Sequence, residues 1–77
     1  MENNIMRIKE NKYYILYKRF KEPKDTIPRY VIYYSDNFGY GISKEFNYMQ
    51  QARDFFTRAT KEAIKYEKEL INTMGVA

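Results

Sequence analysis

The side chains best placed to do chemistry in this chain are tyrosines with lysines and arginines set among them. Nine tyrosines stand in 77 residues. Tyr14, Tyr17, Tyr33 and Tyr34 fall in two short aromatic-aliphatic stretches whose ends carry Lys18, Arg19, Lys21, Lys24 and Arg29. A tyrosine ring gives a large, rigid contact with a polar tip, which suits a protein interface. Rings beside Lys and Arg also suit stacked bases whose phosphates need holding. The plainer alternative is that these rings lean on cross-strand neighbours and fill a small core.

Bond-making chemistry has few candidates. There is no histidine and no cysteine, which removes the commonest general base, the commonest nucleophile and nearly every zinc or redox site. Gly39-Tyr40-Gly41 lacks the glycine-rich loop and following Lys-Ser or Lys-Thr of a phosphate cradle. Its expected role is to let a strand bend or another backbone approach. Asp25, Asp36 and Asp54 have no calcium-loop spacing, and Glu62, Glu67 and Glu69 read as a solvated helix face. The expectation is a non-catalytic protein without cofactor or metal.

These side chains must be positioned by a single small domain spanning residues 1–77. No disulfide or thiolate metal site can staple it, so stability must come from packing, with five Phe and nine Tyr as the main source. The net charge of +4 is a mild bias toward polyanions, and it argues against an acidic imitation of DNA. No apolar run is long enough to cross a bilayer, and residues 1–10 lack the apolar segment of a signal peptide. A cytoplasmic protein with no membrane contact is expected.

The spacing predicts an α+β fold: a three- or four-stranded antiparallel β-meander within residues 1–46, then one long C-terminal helix over about 47–74. Residues 1–11 form either a first strand or a loose arm. Lys12–Phe20 and Arg29–Ser35 are strands by their Tyr, Ile, Leu and Val content. The two prolines of 21–28 mark a loop, and Ser35, Asp36, Asn37 and Gly39 supply a turn into a strand over 38–46. In that last strand Phe38, Tyr40, Ile42 and Phe46 are expected on one face. Met49, Ala52, Phe56, Ala59, Ala63, Tyr66, Leu70 and Thr73 recur in steps of three and four, one stripe of a helix. Asn47 with Gln50 has the spacing of a capping box, Gly75 with Val76 that of a Schellman stop, and Asp54, Arg58 and Glu62 that of an i,i+4 charge ladder.

A single helix covers only one sheet face, yet both faces of the two central strands carry large groups. Tyr17 lies opposite in sense to Tyr14, and Tyr33 to Tyr34. Which face is uncovered stays open, so the candidate contact set is Tyr14, Tyr17, Tyr33 and Tyr34 with Lys18, Arg19, Lys21 and Arg29. The helix, roughly 40 Å long, also outreaches a strand of about 25 Å. Its apolar face widens at Ile64, Leu70, Ile71 and Met74. That end meets either a second copy of the chain, giving a homodimer, or the chain's own N-terminal residues.

A β-meander followed by a helix resembles the arm-type DNA-binding domain at the start of some tyrosine recombinases, on the strength of Lys12–Arg19, Arg29–Asp36, Ser43–Phe46 and Gln51–Phe55. That resemblance implies a sheet laid in the major groove. As a whole, a short, tyrosine-rich α+β chain of AT-rich composition resembles the small proteins with which phages block host defences, anti-CRISPR proteins among them. That resemblance implies a partner that is a protein. Mild, mixed charge against a large aromatic surplus favours protein binding and inhibition. Nucleic-acid binding through the same sheet is the alternative.

Overall fold

A computed structural model describes residues 5–20 and 26–75. Four strands, β1 (Ile5–Glu10), β2 (Tyr14–Arg19), β3 (Tyr30–Tyr34) and β4 (Ile42–Phe46), are followed by one helix, α1 (Met49–Gly75). The strands lie side by side in chain order, each antiparallel to the next. The fold is therefore α+β, a four-stranded meander with one C-terminal helix, and residues 5–10 are a strand rather than an arm.

Parity decides what α1 covers. Tyr14 and Leu16 of β2 pair with Tyr34 and Ile32 of β3, and these residues with Tyr30 face the helix. Leu16, Ile32, Ala52 and Phe56 are almost fully buried, with Tyr14, Tyr30 and Ala63 close behind. Alanines at positions 52 and 63 let the helix come close to the sheet, so that the Phe56 ring can meet the Tyr14 ring at 6.4 Å. Phe38 and Tyr13 close this core from the turn side, edge to face at 5.1 Å.

Two bulges reverse parity where the sequence shows only alternation. One falls between Arg7 and Lys9 in β1 and brings Lys9 to the helix side, its ammonium 5.4 Å from the Phe56 ring centre. The other lies in the β3–β4 pairing, so that Phe46 pairs with Tyr30 but Ile42 with Tyr33. Ile42 and Phe46 consequently lie on opposite faces, contrary to the expected strand over 38–46. Phe38 and Tyr40 precede the strand altogether. Gly39 is needed where it stands, because a β-carbon there would sit 2.7 Å from Cγ of Tyr34. Gly41 holds a φ of 80°, a region glycine enters without steric cost.

The β1–β2 turn fastens the sheet to the helix. The Asn11 side-chain oxygen accepts the backbone N–H groups of Tyr13 and Tyr14 at 2.8 and 2.9 Å, while its amide donates to the Thr60 hydroxyl at 2.9 Å. About two helical turns further along, Glu67 accepts from the Tyr13 hydroxyl at 2.8 Å and pairs with Lys12 at 2.9 Å. Hydrogen bonds from Lys12 and Tyr13 hold the Glu67 carboxyl below its ordinary pKa. A lowered carboxylate pKa adds stability above the unfolded-state value, and that stability is lost as pH falls through the folded one. The urea midpoint should therefore drop on acidification below the ordinary carboxylate value of 4.5. In Glu67→Gln this component should be absent, which unfolding curves at neutral and acid pH will reveal.

The helix ends differ from the sequence pattern. The Ala52 N–H bonds to the Tyr48 carbonyl, so Tyr48 occupies the N-cap position, and Gln50 donates to Asp54 instead of reaching back. With Asp54 so engaged and Arg58 lying over the Phe55 ring at 5.8 Å, the Asp54–Arg58–Glu62 ladder does not form. The Schellman stop at Val76 falls outside the described residues.

Candidate functional site

The face of the sheet turned away from α1 is covered by no element among the described residues. It carries Ile5, Arg7 and Glu10 of β1, Ile15, Tyr17 and Arg19 of β2, Val31 and Tyr33 of β3, and Ile42 and Glu45 of β4, as the pairing register requires. Tyr17 and Tyr33 are diagonal neighbours across β2 and β3. Their rings meet edge to face at 5.4 Å and 85°, a favoured aromatic geometry. Val31, cross-strand from Tyr17 and Glu45 and next to Tyr33 on the same face, is fully buried. These rings therefore do two things at once, sealing Val31 and presenting their outer surfaces.

The charges on this face are tied down. Arg7 bonds Glu10 at 2.6 Å, and its guanidinium carbon lies 6.0 Å from the Tyr17 ring centre. Arg19 pairs with Glu45 at 2.8 Å and donates to the Pro28 carbonyl at 2.8 Å. Two cations and two carboxylates leave the strand residues of this face without net charge, and Asp36 on the adjoining turn adds one carboxylate.

Beside the rings runs an open groove of about 410 Å³, bounded by Ile5, Ile15, Tyr17, Tyr33, Tyr34, Asp36, Tyr40 and Gly41. Tyr40 is 97% exposed. It stands on the turn between β3 and β4, where Phe38 and Gly39 both donate to the Ser35 carbonyl and Tyr34 donates to that of Gly41.

Of the eight candidate contact residues, Tyr17, Tyr33 and Arg19 come together on the uncovered face. Tyr14 does not: it is buried beneath α1, where burial, and then the neighbouring Tyr34, push its phenol pKa up. Tyr34 packs its ring on Tyr14 and Phe38, at 5.7 and 6.1 Å, while also contributing to the lining of the groove. Lys18 is on the helix side by register, its ammonium 5.8 Å from the Phe20 ring. Arg29 is half-buried just before β3, its carbonyl accepting the Arg19 N–H at 2.7 Å. Lys21 lies outside the described residues. Sequence reasoning missed Ile5, Ile15, Asp36, Tyr40 and Ile42 as members of this face. The shared parity of Ile15 and Tyr17 was a usable signal for Ile15, whereas Ile42 depends on the bulge.

A second surface lies at the end of α1. The stripe that is buried at Ala52, Phe56 and Ala63 continues toward and past the clasp at Glu67 with no other described residue burying it. Ile64, Tyr66, Leu70 and Ile71 are exposed, Ile71 by 63%. The Met74 side chain lies outside the described residues. Among the described residues no three metal-ligating groups cluster, and no helix is long and apolar enough to cross a membrane. Comparison of the chain with protein-family models, with curated proteins and with solved structures finds no match.

Proposed function

We propose that this chain is a non-catalytic binding protein that captures another protein on the uncovered face of its sheet. The observation that carries this reading is the Tyr17–Tyr33 pair, with Tyr40 beside it, on a sheet face that no other described element covers and whose arginines are each paired with a glutamate. Aromatic rings held rigid by their neighbours give contact area at low entropic cost, which is how binding hot spots are built. Inhibition of the captured protein, a host defence component in the phage-type resemblance, is the biological form we propose for this binding.

Nucleic-acid binding through the same face is the weaker reading. Reading a duplex with a sheet takes free cations for the phosphates. On this face both arginines are already paired with glutamates.

The test places a photo-crosslinking amino acid at Ile15, beside the two rings, in cells of the organism from which the chain comes. A discrete protein adduct is expected, retained at high salt and lost when Tyr33 is replaced by alanine. Adducts that disappear with nuclease treatment, or none at all, would overturn the reading.

The free end of α1 supports a second contact, which we propose is the same end of another copy. An exposed stripe of Ile64, Leu70 and Ile71 in continuity with the core stripe is what a helix shows when part of its apolar face is left for a partner.

A further inference from the structure

We infer that the groove on the uncovered face is a receptor for an arginine side chain of the captured protein. The inference rests on the protein-capture reading and names the chemistry that the site recognises.

Three features point to a cation. First, the groove is lined by tyrosines, among them Tyr17, Tyr33 and Tyr40, and by no lysine or arginine. Aromatic faces carry negative quadrupole density and attract a guanidinium or ammonium placed over them. Second, the one charged group in the lining is Asp36, which has no ion-pair partner among the described residues. In a chain of net charge +4, a groove whose only charge is a free carboxylate runs against the average of the surface, and it is complementary to a cationic guest. Third, the same face already makes such a contact within the chain, with the Arg7 guanidinium over the Tyr17 ring. Arginine rather than lysine is the fitting guest. Its planar group stacks on rings while two of its N–H donors engage one carboxylate, and it sheds water more readily than an ammonium.

The apolar stem of the guest has a place as well. Ile15 supplies an aliphatic floor along which three methylenes can lie, leaving the charged head toward Asp36 at the turn. Gly41 on the rim adds no side chain that would narrow the entrance.

The experiment is an NMR titration of the whole protein with N-acetyl-arginine amide, at constant ionic strength. N-acetyl-citrulline amide, of nearly the same shape but uncharged, and N-acetyl-lysine amide serve as comparisons. Saturable shifts of the Tyr33 and Tyr40 ring signals are expected with the arginine amide, with citrulline binding about fivefold more weakly or less. Asp36→Asn should weaken arginine binding about threefold or more. Tyr40→Ala, at a position that is 97% exposed, should weaken it without disturbing the fold. Equal binding of citrulline, shifts away from the groove, or an Asp36→Asn variant that binds as well as the parent would overturn the site. Lysine binding as tightly as arginine would overturn the choice of guanidinium. If the arginine amide binds but no crosslinked protein is found, capture fails and the site stands. A crosslinked partner with no arginine preference does the reverse.

Discussion

Phe56→Ala should cost the domain about 3–5 kcal/mol. Phe56 is 1% exposed, the largest fully buried side chain, and it is the only one that reaches from α1 to the Tyr14 ring and the Lys9 ammonium together. A domain of this size has a total stability of order 4–12 kcal/mol, so the variant would lose at least about a quarter of it, and all of it at the lower end of that range. Urea titration followed by circular dichroism should show a midpoint lowered by at least about a quarter. Phe56→Leu, which keeps most of the volume, should lose far less. An unchanged midpoint in the alanine variant would mean that α1 does not pack on this sheet face.

Ile71→Glu should do the opposite. Fifteen residues further along the same helix, this side chain is 63% exposed and lies beyond the last clasp at Glu67, so folding stability should stay within about 0.5 kcal/mol of the parent. The change should appear in mass. Light scattering at tens of micromolar should report a dimer for the parent and a folded monomer for the variant, with Leu70→Glu behaving alike. Tyr33→Ala should leave the dimer intact, which separates the two surfaces. A parent chain that is monomeric at high concentration would end the self-association proposal.

The contrast between these variants reflects what the sequence can and cannot convey. The steps of three and four from Met49 to Thr73 define α1 because helical periodicity repeats over many turns, and the aromatic runs at 14–19 and 30–34 identify β2 and β3. The facing of those strands was not legible. Tyr14 and Tyr17, or Tyr33 and Tyr34, are equally apolar, and only the docking of Phe56 decides which of them is buried. Bulges were invisible for a different reason. An extra residue in one strand changes parity without changing composition, so Ile42 looked like a same-face partner of Phe46. The groove was harder still to foresee, since it joins Ile5 of β1 to Asp36 and Tyr40 of the β3–β4 turn by way of β2 and β3. Asp36, read in sequence as turn chemistry alone, lines the groove only through that long-range arrangement.

The clasp at Glu67 also divides α1 into two thermodynamic regimes. Up to that point each turn is held by the sheet, and the nucleation cost of the helix is met there. Beyond it, residues 68–75 extend by propagation alone, each adding one backbone bond against the entropy of one residue, with an equilibrium constant near unity. Amide exchange should therefore quicken turn by turn toward Gly75 in the lone chain. Any partner that seats on Leu70 and Ile71 would have those turns already in line, and would convert a fraying end into a protected one. The length of protected helix thus works as a gauge of occupancy, set by a single carboxylate two-thirds of the way along the element.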